Sequence, residues 1–104
     1  MRRTSTPDHE FELPFVYEEY ADQLLITYSQ NDKIVLELTQ EEIGNSISIN
    51  GGIISVSLSQ EDTKKFAEGS AEVEIKLWTK NKKSLISDPI SIYVYDVLND
   101  KIFT

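Results

Sequence analysis

The sequence has no cysteine, one histidine, one tryptophan and one methionine, with only four glycines and three prolines in 104 residues. The absence of cysteine excludes a disulfide scaffold, a thiolate metal site and a cysteine nucleophile. With His9 as the lone histidine, Ser-His-Asp and Cys-His arrangements lose their support, and zinc has no His/Cys cluster to bind. No segment follows the calcium-loop pattern, and Gly51-Gly52 lacks the lysine of a phosphate loop. Carboxylates recur in close pairs (Glu10/Glu12, Glu18/Glu19, Glu41/Glu42, Glu72/Glu74), but in turns or on the polar side of strands. General acid chemistry needs a carboxyl raised by burial, so these read as solvated pairs. No catalytic, cofactor-binding or metal-binding residue is therefore expected.

Positive charge is also scarce. Ten Lys and Arg face 18 Asp and Glu, for a formal net charge of −8. A phosphate backbone repels such a surface, and so does an anionic membrane, so neither nucleic acid nor membrane insertion is expected. No apolar run approaches the ~20 residues that span a bilayer. Met1-Arg2-Arg3 leads into Thr4-Ser5-Thr6-Pro7-Asp8 and not into an apolar stretch, which predicts no signal peptide and synthesis in the cytoplasm. His9 reads as a solvated residue of a flexible N-terminal arm, residues 1–9.

What the chain does have is alternation. Phe11, Leu13 and Phe15 alternate with polar residues, and Pro14 places that segment at an edge or a strand end. Residues 23–39 read as a hairpin around Gln30-Asn31-Asp32-Lys33, with Leu24, Ile26 and Tyr28 on one face and Ile34, Leu36 and Leu38 on another. Ser46–Ile49 and Ile53–Leu58 flank Asn50-Gly51-Gly52, as a small hairpin or as a single interrupted strand pair. Val73, Ile75 and Leu77 alternate with Glu72, Glu74 and Lys76; Asn81-Lys82-Lys83 makes a turn; Ile90, Ile92 and Val94 alternate with Ser91, Tyr93 and Tyr95. Roughly seven strands, with turn signals about every 8–12 residues, predict an all-β, immunoglobulin-like antiparallel two-sheet sandwich over residues 10–104. A small barrel is the alternative.

One stretch breaks the alternation. In Leu58-Ser59-Gln60-Glu61-Asp62, Ser59 and Asp62 have the spacing of a capping box, with Asp in place of Glu or Gln. Glu61 and Asp62 complement the positive end of a helix dipole, and Lys64 and Lys65 lie toward its negative end. The spacing predicts a short helical turn near residues 60–66 at a corner between sheets, with Phe66 plugging the sandwich end and Gly69 as its stop. The rival reading of this stretch is a surface epitope.

Trp78, Tyr93 and Tyr95 fall opposite Leu77, Ile92 and Val94. If the aliphatic residues face the core, the aromatics face out, where Trp and Tyr favour protein interfaces and sugar platforms. The competing arrangement has neighbouring strands or the N-terminal segment covering them. These three residues are the candidate interaction surface.

Taken together, "MRRTSTPDHEFELPF", "ITYSQNDKIVLE", "VSLSQEDTKKF", "VEIKLWTK" and "SDPISIYVYDVLNDKIF" resemble small structural proteins encoded by tailed phages and prophages of Gram-positive bacteria. The "LSQEDTKKFAEGSAEVEIKL" region is similar to the N-terminal domain of phage baseplate upper proteins, an immunoglobulin-like sandwich. The resemblance spans nearly the whole chain and rests on the combination of stretches. Family members usually carry a glycine where this chain has Asn81-Lys82-Lys83, a departure at a hairpin tip. The resemblance implies a non-enzymatic tail or baseplate-region protein, located in the virion. It would act by self-association or by contact with other phage structural proteins. A carbohydrate-binding module using the same aromatics, and an acidic phage inhibitor of a host protein, are the competing expectations.

Overall fold

The computed structural model describes all 104 residues and contains eight strands in two antiparallel sheets. The strands are β1 (Asp8–Glu12), β2 (Ala21–Gln30), β3 (Lys33–Thr39), β4 (Ile47–Asn50), β5 (Ile53–Ser57), β6 (Gly69–Thr79), β7 (Ser84–Ile86) and β8 (Ile90–Val94). Two short helices, α1 (Tyr17–Tyr20) and α2 (Gln60–Lys64), and a 3-10 turn at Gln40–Glu42 lie at connections. One sheet has the order β1-β5-β4; the other has β3-β2-β6-β7, with β8 also paired to β6.

β7 and β8 are collinear. β7 pairs with Lys76–Trp78 of β6 and β8 with Gly69–Val73, both antiparallel. Ser87-Asp88-Pro89 interrupts them, and the register steps by one residue across the break, as a bulge does. Pro89 has no N–H to give the ladder, which suits an edge. Counted as rows, the sheets are then β1-β5-β4 and β3-β2-β6-β7/β8. With the chain order of hairpins and crossings, this is the immunoglobulin arrangement B-E-D packed on C′-C-F-G. Strand A, which in that fold lies beside B, has no counterpart: β1 pairs only with β5.

Two of the hairpins form where Asn, Asp and Gly call for them. Asn31 and Asp32 take positive φ between β2 and β3, and Gly51 does so between β4 and β5, which settles that pair as a hairpin. Gly52 is required for another reason. The chain after β1 folds back over this turn, with Leu13 N–H donating to Gly52 O and Tyr17 N–H to Gly51 O. A Cβ on Gly52 would stand 2.8 Å from Phe15 O and 3.0 Å from Leu13 O. Both are backbone atoms, so Gly52→Ala is expected to cost roughly 1–3 kcal/mol in chemical denaturation. An unchanged midpoint would refute this packing.

The core lies between the sheets, with Leu24, Ile26, Tyr28, Ile47, Ile54, Val56, Val73 and Val94 nearly or wholly inaccessible. Ile34, expected on the same face as Leu36 and Leu38, is instead exposed. A register shift at Tyr28/Ser29 moves it out of phase with them, and Val35 packs partly against the core.

The corner forms between β5 in one sheet and β6 in the other. Asp62 N–H donates to Ser59 Oγ, and Ser59 N–H donates to an Asp62 carboxylate oxygen, each at 3.1 Å. Phe66 is buried edge-on to Tyr28, with ring centroids 5.9 Å apart. Gly69 does not stop this helix. The helix ends at Lys64 with Lys65 as its C-cap, and Gly69 opens β6 with φ +131°.

The N-terminal segment is not a loose arm. The Met1 ammonium donates to Tyr93 O, and Arg3 N–H donates to Tyr95 O beside a parallel bridge between Arg2 and Tyr95. Arg3 Nε and Nη2 donate to Phe66 O and Lys64 O, carbonyls that the end of α2 leaves without helical partners. Its Nη1 meets the Asp96 carboxylate at 2.9 Å, and this hydrogen bond is the main reason the Asp96 pKa is lowered. Asp8 and His9 belong to β1, so the domain begins earlier than residue 10.

Candidate functional site

The three aromatics do face outward, with relative exposures of 40% for Trp78, 47% for Tyr93 and 49% for Tyr95. They do not form one patch. Tyr93 is opposite Ser70 at the start of β6, whereas Trp78 lies near its end. Eight residues of strand, about 26 Å, separate the two positions. Tyr93 and Tyr95 are mutual neighbours, with centroids 4.7 Å apart, and the Arg2 guanidinium lies 5.4 Å from the Tyr95 ring centre. The N-terminal segment thus engages Tyr95, in partial agreement with the covered arrangement. Trp78 borders a concavity of about 440 Å³ with Gln23, Thr39, Gln40, Lys76 and Ser84. Gln40 is already engaged there, its Oε1 accepting from Leu24 N–H.

His9 is not a solvated loop residue. Its Nδ1 lies 2.7 Å from the Tyr28 hydroxyl, across the space between the sheets. Burial lowers the His9 pKa, aided by the N-terminal charge and opposed by Asp8; burial raises that of the Tyr28 phenol. Both shifts favour neutral groups, and a neutral pair shares one hydrogen bond whichever tautomer the ring takes. The pair joins β1 to β2. No group of three or more His, Asp or Glu residues is placed to hold a metal ion.

The feature that residue patterns did not reveal lies on the side of the sandwich between β1 and β7. A groove of about 360 Å³ runs there, and most of its walls are apolar. Phe11, Leu13 and Phe15 form one wall; Ile75, Leu77, Leu85 and Ile90 form the other. Leu85, Ile86 and Ile90 are 43%, 58% and 41% exposed, although Leu85 is directly opposite the buried Leu77. Leu85, opposite Leu77, and Ile90, opposite the buried Val73, would be core in a sandwich closed on this side, whereas Ile86 is opposite the exposed Lys76 and faces outward. The cause is the missing row beside β1. The N-terminal segment covers the β8 end of the opening, and nothing covers the β7 end.

Both borders of the groove are free sheet edges. Leu58 N–H donates to Pro7 O, and Leu13 N–H to Gly52 O. In the uniform β1–β5 register, positions 7, 9, 11 and 13 therefore bond to the sheet, whereas Asp8, Glu10 and Glu12 direct N–H and C=O away from it. On the other border, Thr79 N–H donates to Lys83 O and Ser87 N–H to Ile75 O, so Ser84 and Ile86 have outward backbone groups. The signals for this site were Pro14, which marks an edge, and "SLIS", too short and too close to Pro89 to read as a strand.

No helix is long and apolar enough to cross a membrane. Comparison with family models, curated proteins and solved structures finds no match to this chain.

Proposed function

We propose that this chain is a non-enzymatic phage or prophage structural or assembly protein of the tail or baseplate region, resident in the virion and working through protein–protein contacts. The observation that carries the contact reading is the open side of the sandwich, where side chains of core type are exposed between two unpaired edges. A contiguous apolar surface of this kind favours association, and a free edge supplies backbone groups to direct it. The phage assignment comes from the sequence resemblance. Mass spectrometry of particles and assembly intermediates from an induced lysogen encoding the chain tests it. The chain is expected as a stoichiometric component of one or the other; absence from both contradicts the proposal.

Sugar binding is the second reading, and the separation of the aromatics narrows it to Trp78 and its polar surround. A glycan array without hits removes it.

A further inference from the structure

The geometry points to the occupant of the open side: an extended segment of another protein, alternating basic and apolar residues, that adds as a strand to the free edge of β1. This names the partner chemistry for the contact function proposed above, and rests on that reading.

Three observations lead there. The first is the vacancy beside β1, at the position strand A takes in this fold. Pro7 and Pro14 bracket it, so the usable edge runs from Asp8 to Leu13. Strand addition to an exposed edge draws affinity from main-chain hydrogen bonds and specificity from alternate side chains. The second is the groove. In a strand added to β1, side chains opposite His9, Phe11 and Leu13 turn inward, toward Leu85 and Ile90. Those positions call for apolar residues.

The third is charge. Asp8, Glu10 and Glu12 share the outer face of β1, opposite Ser57, Ser55 and Ile53 of β5. No basic side chain in the molecule pairs with any of them; the ion pairs formed are those of Arg3 and Lys65. Residues facing them from an added strand are directly opposite, where unlike charges stabilise and like charges destabilise. Those positions call for lysine or arginine.

The same rule disfavours a second copy. Two β1 edges paired about a twofold place acidic residues opposite acidic residues, and each copy carries a net charge of −8. The C-terminal stretch Val97-Leu98-Asn99-Asp100-Lys101-Ile102-Phe103 also fits poorly, because either face of it as a strand sends Asp100 or Lys101 into the apolar groove.

The test is a titration of the full chain with a short synthetic peptide alternating lysine and isoleucine. Controls are a glutamate–isoleucine peptide and a scrambled lysine–isoleucine peptide, with NMR detection of backbone amides. The lysine–isoleucine peptide is expected to bind with salt-sensitive affinity and to slow exchange of the Glu10 and Glu12 amides. Glu10→Lys with Glu12→Lys, both at exposed positions, is expected to weaken it by roughly tenfold and to favour the glutamate peptide. Glu10→Pro, which removes an outward donor and no internal hydrogen bond, is expected to abolish edge binding with an otherwise native spectrum. Equal binding of all three peptides, binding without protection at Glu10 and Glu12, or concentration-dependent protection without peptide (a second copy) would overturn the inference. A chain found in particles with no preference for the lysine–isoleucine peptide leaves the assembly function standing and removes this partner. A chain absent from particles and intermediates removes the function itself.

Discussion

Phe66→Ala is expected to lower the unfolding free energy by about 3–5 kcal/mol. The ring is almost fully inaccessible and packs edge-on against Tyr28 at the end of the sandwich where the chain crosses between sheets. Truncation removes the aromatic contact and leaves a cavity that the surrounding backbone is poorly placed to fill. The Phe66 carbonyl holds Arg3 Nε at 2.7 Å, and Arg3 Nη1 in turn holds Asp96. A collapse at Phe66 therefore also loosens the N-terminal segment against β8. Domains of this size are stable by about 5–15 kcal/mol, so the variant is expected near the threshold of folding at 37 °C. Guanidinium denaturation measures the change. A loss under about 1 kcal/mol would mean that Phe66 is not the plug of this corner.

Gln30→Ala comes second, at roughly 2–4 kcal/mol. Gln30 is a buried polar residue at the end of β2, and its amide is used on both sides. Nε2 donates to Ala67 O and Oε1 accepts from Ala67 N–H, both at 2.8 Å. The side chain thus stands in for a neighbouring strand and satisfies the segment between α2 and β6. Alanine leaves two backbone groups without partners in a partly buried place. Gln30→Leu separates the causes, since it keeps most of the volume and none of the hydrogen bonds. It is expected to be nearly as destabilising as alanine. If leucine restores wild-type stability, volume and not hydrogen bonding is what Gln30 supplies.

These two residues show what the sequence reveals and what it hides. The period-two pattern in Val73, Ile75 and Leu77 and the Ser59/Asp62 spacing are local, and the structure carries both as expected. The corner and the burial of Phe66 followed from them. Gln30 sits beside a turn signal and reads as turn; its role depends on Ala67, distant in sequence but close in space. Arg2 and Arg3 fell within the segment read as a flexible arm for the same reason, since the carbonyls at the end of α2 and the Tyr95 ring come within reach only after folding. The outward direction of Trp78, Tyr93 and Tyr95 was legible from alternation. Their separation along β6 was not, because it depends on where β8 pairs. The groove was hidden for the most basic reason: it is defined by a strand that this chain does not place beside β1.

We infer that β1 is an open edge that receives a strand. Amide hydrogen exchange of the free protein, read residue by residue, tests it most directly. Alternation along β1 is expected: His9, Phe11 and Leu13 protected by the bonds to β5, and Glu10 and Glu12 exchanging fast at every protein concentration. Slow exchange at Glu10 and Glu12 in the dilute monomer would contradict it, because it would show that the chain already closes this edge by itself.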